Sequence, residues 1–97
     1  MVRFKNHSDM LQYYCNEYIK PKDLVLVLGF YSEHLKNIFL FIGAEPIFVG
    51  KDFTFDIVIE NEVLPFEKST FDIIFNFTKQ DVHHFLKPNG NILTFSF

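Results

Sequence analysis

Few side chains in this chain of 97 residues are of a type and spacing that could do chemistry. His83 and His84 are adjacent, His34 follows Glu33, and Cys15 is the single cysteine. Histidine titrates near neutrality and is a common metal ligand. Adjacent positions on a helix point about 100° apart, however, and no cysteine or carboxylate stands at zinc spacing, so the pair does not read as a chelate. A lone cysteine forms no internal disulfide, which fits a reducing compartment, and at helical spacing Cys15 reads as a small apolar residue on a buried face. No GxSxG, GxxxxGK[ST] or GxGxxG phrase occurs, so the sequence gives no support to hydrolase, phosphotransferase or dinucleotide chemistry. The candidates that remain stand where apolar runs end: Gly29, Phe30 and Tyr31 after one run, Asp52 after a second, Glu60 and Asn61 after a third, and Asn76 after a fourth.

The elements that carry those positions are legible in order. Ser8 is placed to cap a helix in which Leu11, Tyr14, Cys15 and Tyr18 form one stripe, ended by Pro21. Leu24 to Leu28 is five consecutive apolar residues closed by Gly29, the pattern of a parallel strand covered on both faces. Ser32 then caps a helix with Leu35, Ile38, Phe39 and Ile42 on one side and Gly43 at its stop. Ile47 to Val49 reads as the second strand and Ile57 to Ile59 as the third. Only Gly50 to Thr54 lies between the end of one and the region of the other. A bare parallel crossover and an antiparallel hairpin are both open there. The polar turn Glu67 to Thr70 leads into a fourth strand, Phe71 to Phe75. Val82, Phe85 and Leu86 suggest a short helix between Thr78 and Lys87, Pro88 to Gly90 a turn, and Ile92 to Phe97 a fifth strand.

Alternating strands and helices predict one α/β domain over residues 1–97: an N-terminal helix and lead-in to residue 22, then a Rossmann-like core from residue 23. The expected architecture is a three-layer half-Rossmann sheet of order 3-2-1-4-5, truncated after the fifth strand. Ligand sites in such sheets lie at the carboxyl ends of the strands where strand order reverses. Here that point falls between Gly29 to Tyr31 and Asn76 to Thr78. A chain of this length buries only about 60 to 65% of its unfolded surface, so a partner or a homodimer is an expectation. Hydrophobic content of 48% with 14 Phe is too high for a disordered chain, and no apolar run approaches a membrane span. With no secretory pattern either, the expected location is the cytoplasm. A net charge of −3 with nine scattered basic residues argues against a nucleic-acid surface.

Two phrases carry a family likeness. Glu60, Leu64-Pro65-Phe66 and Phe71-Asp72-Ile73-Ile74-Phe75 form one, and Leu86-Lys87-Pro88-Asn89-Gly90 followed by Ile92 to Phe95 the other. From about Leu24 onward the chain resembles the class I S-adenosylmethionine-dependent methyltransferases of the type 11 kind. The resemblance implies S-adenosylmethionine as cofactor, methyl transfer to an unknown acceptor, and cofactor contacts from Gly29, Phe30, Tyr31, Asp52, Glu60, Asn61 and Asn76. In the family, Glu60 would meet the adenine amino group, and Asn76 would be the polar side chain placed to touch an acceptor. The family's first motif is only partly kept. Val27 replaces its acidic residue, and of three glycines only Gly29 is present, with Tyr31 and Glu33 at the other two positions. The acidic position that holds the ribose is aligned with Lys51, with Asp52 next to it. These departures imply that the cofactor is held weakly or has been lost. They open the alternative of a catalytically inactive methyltransferase remnant that acts as a protein-interaction module.

Overall fold

The structure, a computed structural model, describes residues 7–61 and 63–95, with side chains from residue 13 onward. Helix α1 (His7–Tyr18) is followed by strand β1 (Leu24–Leu28), helix α2 (Glu33–Ile42), and strands β2 (Glu45–Gly50), β3 (Ile57–Val58) and β4 (Phe71–Asn76). A single 3₁₀ turn (His83–Phe85) leads into β5 (Leu86–Thr94). The five strands form one sheet of order β3-β2-β1-β4-β5, parallel at every junction. The reversal of strand order between β1 and β4 is therefore where the sequence places it.

Alternation along the strands divides the core in two, because successive strand residues face opposite sides of a sheet. Val25, Val27, Phe48, Ile73 and Phe75 face the helices and pack with Cys15, Ile19, Leu35 and Phe39. Phe39 is fully buried at the centre, its ring 5.5 Å from Phe75 edge-on and 6.2 Å from Phe48. Helix α2 is delimited by its own sequence: the Ser32 hydroxyl accepts from the Leu35 amide, and Gly43 closes the helix in the left-handed region (φ 94°), where other residues are strained. In α1, Cys15 and Tyr14 reach the core as expected, Tyr14 lying 5.8 Å from Phe95. Tyr18 does not. It stays exposed, and Ile19, just past the helix, fills the core. Ser8 lies inside α1 and not ahead of it, and its side chain and that of Leu11 lie outside the described ones.

The opposite face corrects the three-layer expectation. Leu26, Leu28, Val49 and Ile74 are covered there by Leu64 and Phe66 from the β3–β4 connection and by Val82 and Phe85 around the 3₁₀ turn. No α-helix lies on that face among the described residues. Phe66 is its keystone, edge-on to Phe71 at 4.9 Å and to Phe85 at 6.2 Å. The Leu64-Pro65-Phe66 phrase thus acts as a roof over the sheet. The Glu67–Thr70 turn beneath it is tied to the 3₁₀ segment by the Ser69 and Thr70 amides, which donate to the His84 and Phe85 carbonyls.

Two aspartates close strand ends that the backbone leaves open. The Asp72 carboxylate accepts the Leu24 amide at 2.8 Å, extending the β1–β4 pairing beyond its first backbone pair, Val25 with Ile73. It also meets Lys87 at 3.2 Å. The Asp56 carboxylate accepts the Phe48 amide at 3.0 Å, doing the work of a partner strand where β3 has not yet begun. The β2–β3 connection is therefore the bare parallel crossover, and the hairpin is not formed. The Pro88–Gly90 turn also differs from expectation. Strand β5 starts at Leu86, opposite Phe71, and resumes opposite Ile73 only at Asn91, so the turn is a bulge within an edge strand, where proline costs no ladder bond.

Candidate ligand-binding site

The carboxyl ends of the strands are fixed by hydrogen bonds that run one residue past each strand. The Gly29 amide donates to the Val49 carbonyl, Phe77 to Leu28, Ile59 to Gly50 and Phe95 to Asn76, all at 2.8–2.9 Å. Gly29 takes φ 86°, a conformation that favours glycine. A Cβ there would stand 2.6 Å from the Thr78 methyl, so the β4–β5 loop sits directly on the end of β1.

That loop is built by side chains. The Asn76 carbonyl oxygen accepts the Thr78 amide at 2.9 Å and the Thr78 hydroxyl at 2.7 Å, its NH₂ donates to the Gln80 carbonyl at 2.8 Å, and the Gln80 amide donates back to the Thr78 hydroxyl at 3.1 Å. Asn76 is only 4% exposed. Its side-chain amide is engaged within the loop, which it organises, and the residue borders the second of the two clefts that flank the loop.

Two open clefts flank this loop. The first, of about 480 Å³, lies over the ends of β1, β2 and β3, with Gly29, Lys51, Asp52, Phe55, Ile59 and Thr78 among its lining. The second, of about 640 Å³, lies between the ends of β4 and β5 and includes Phe77, Asp81, His83, Ile92 and Thr94. Thr78, Lys79 and Gln80 are common to both. In the first cleft, one oxygen of Asp52 accepts the amide and the hydroxyl of Thr54. The Thr54 hydroxyl and then its amide hold the Asp52 carboxyl below the usual carboxylate range. The second oxygen has no partner among the described residues and is free to accept from a ligand.

The residues expected to bind do not all converge. Gly29 and Asp52 line the first cleft. Tyr31, expected to place its ring against the cofactor's path, turns toward the helical side of the sheet, 5.1 Å from Phe48 and 6.3 Å from Phe55. It is outside the cleft lining. Phe30 stacks on Phe77 at 4.7 Å, and Phe77 stacks on Phe95 at the same distance, an aromatic ladder closing the β1, β4 and β5 ends. Glu60 is exposed beyond Ile59 and outside both linings, and the Asn61 side chain accepts the Val63 amide. His83 and His84 are exposed; the His84 ring rests on Phe85. No group of three His, Cys, Asp or Glu among the described residues is arranged to hold a metal ion. Thr78 lines the first cleft at the switch point the strand order predicts, and Lys79 and Gln80, which the sequence does not mark, join it because the loop's Asn-x-Thr-x-Gln pattern folds it back over Gly29. Side-chain turns of this kind are the only sequence signal for that placement.

No family model, curated protein or solved structure matches this chain. No helix among the described residues is long and apolar enough to cross a membrane.

Proposed function

We propose that this chain is a methyltransferase-like domain of the half-Rossmann type that binds S-adenosylmethionine in the first cleft, with methyl transfer to an unidentified acceptor as its activity. The observation that carries the reading is the position of that cleft. It opens at the carboxyl edge of an all-parallel 3-2-1-4-5 sheet beside the β1–β4 reversal, where ligands bind in sheets of this kind. The withdrawal of Tyr31 toward Phe48 removes the largest steric objection raised by the sequence. In this reading Gly29 gives close backbone approach, the free oxygen of Asp52 accepts from ribose hydroxyls, and Phe55 and Ile59 form the apolar wall for the base, with Glu60 and Asn61 beyond it.

Methyl transfer from a sulfonium is an in-line displacement that rests mainly on positioning, so the chain's task is to hold two reactants in line. The acceptor would enter by the second cleft, which shares the Thr78–Gln80 loop with the first. A cytoplasmic setting fits the single, buried Cys15.

Two features fit S-adenosylmethionine poorly: Lys51 where an acid would serve the ribose, and the Thr78 methyl packed on Gly29. They favour weak binding and give weight to a second reading, an inactive remnant that works as an interaction module through a homodimer or a protein partner. Phe41 and Phe53, 93% and 99% exposed, suit such a role. Calorimetric titration with S-adenosylmethionine and light scattering separate the two. Heat of binding from a monomer supports the enzyme-like reading. A dimer that gives neither heat nor thermal shift at millimolar cofactor supports the remnant.

A further inference from the structure

The first cleft has a charge pattern that the methyltransferase reading does not use. Lys51 reaches it from the end of β2 and Lys79 from the loop after β4, so the two cations approach Gly29 from opposite sides of β1. Neither is in an ion pair among the described residues, where the ion pairs join Lys36 to Asp56 and Lys87 to Asp72. Asp52 is the single acid in the lining, and one of its oxygens is engaged by Thr54. The lining thus carries two positive charges against one negative in a chain whose net charge is −3. Local potential, not net charge, decides what a concave site concentrates.

The same lining includes the apolar side chains of Leu28, Phe55 and Ile59, a surface suited to the face of a flat ring. A volume of about 480 Å³ lies within the ordinary range for small-molecule sites.

We propose that this cleft binds a flat, ring-bearing anion of nucleoside monophosphate type, its ring against Phe55 and Ile59 and its anionic group between Lys51 and Lys79. Lysine binds phosphate as a mobile point charge, and two lysines outside any ion pair among the described residues can bracket a single anionic group. The same charges disfavour a ligand whose own net charge is positive, as that of S-adenosylmethionine is. The inference shares its cleft with the reading above and is independent of methyl transfer.

The test is calorimetric titration of the full chain with adenosine 5′-monophosphate, adenosine and S-adenosylmethionine at low and high salt. It is repeated on Lys51→Gln, Lys79→Gln and the double variant, each checked for an unchanged melting temperature. Each exposed lysine is worth about 1.5- to 5-fold in affinity, so the monophosphate should bind about 2- to 25-fold more tightly than adenosine. That advantage should shrink with salt and vanish in the double variant, with adenosine affinity unchanged. Equal affinity for monophosphate and adenosine, an advantage that survives loss of both lysines, or no binding of the monophosphate overturns the proposal. If the monophosphate binds and S-adenosylmethionine does not, this inference stands and the methyltransferase reading falls. If S-adenosylmethionine binds at least as tightly as the monophosphate, the reverse holds.

Discussion

Replacing Asp72 tests how the sheet is held together at its amino edge. Its carboxylate takes the half-buried Leu24 amide at 2.8 Å and the Lys87 ammonium at 3.2 Å. A hydrogen bond to a charged acceptor contributes about 1.5–3 kcal/mol, and a pair as exposed as Asp72–Lys87 about 0.2–1 kcal/mol. Asp72→Ala should therefore cost about 2–4 kcal/mol, a large share of the roughly 5–15 kcal/mol that stabilises a domain of this size. Melting should fall by about 10–30 °C. Asp72→Asn keeps an acceptor for Leu24 but loses the charge, which leaves roughly half the bond's strength, and it should fall about midway. Lys87→Gln removes only the ion pair and should cost less than about 1 kcal/mol. Urea unfolding followed by circular dichroism, with the slope unchanged across the series, gives these values. Asp72→Ala within about 0.5 kcal/mol of the parent would refute the reasoning. So would an Asp72→Ala cost no larger than that of Lys87→Gln, since the ion pair and not the Leu24 bond would then carry the effect.

Other consequences follow from single contacts. Phe39→Ala empties the space between Phe48 and Phe75 and should cost about 3–5 kcal/mol by the same urea assay. Burial pushes the Cys15 thiol from 9.0 up to about 12. Its folded pKa is thus raised above the unfolded one, so its contribution to stability is complete below about pH 9 and is lost as pH rises toward 12. Native protein should resist a thiol reagent at pH 8, and Cys15→Ala should flatten the alkaline decline in stability. The Asp52 carboxyl, lowered in the folded chain, should titrate by NMR below an ordinary aspartate, and Thr54→Ala should move it back up. Gly29→Ala forces a Cβ onto the Thr78 methyl at a positive φ and should both destabilise the chain and shift the amide signals of the Thr78–Gln80 loop.

The sequence exposed what local chemistry dictates. An unbroken apolar run marks β1, an apolar run interrupted only by Asp72 marks β4, and Ser32 and Gly43 delimit α2 to the residue. Strand order followed from the alternation of elements. Long-range competition set the rest. Val82, Phe85 and Leu86 have helical spacing, yet Asn76, Thr78 and Gln80 draw the preceding loop into side-chain turns, and Asp81 accepts the His83 amide at 3.1 Å. Only a 3₁₀ turn is left. Short polar side chains compete with helical hydrogen bonds in this way, and spacing alone does not reveal which will win. The aromatic residues misled for a related reason. Its position after β1 puts Tyr31 beside the cleft, but its ring goes where Phe48 and Phe55 offer edge-on contact.

Whether the cleft beside Gly29 takes S-adenosylmethionine is most directly measured by amide chemical-shift mapping during titration with that molecule. Shifts that saturate and cluster at Gly29, Lys51, Asp52, Ile59 and Thr78 are the predicted result. Amide signals that stay in place at millimolar ligand, or shifts that gather at the amino edge around Asp72 and Lys87, would contradict it.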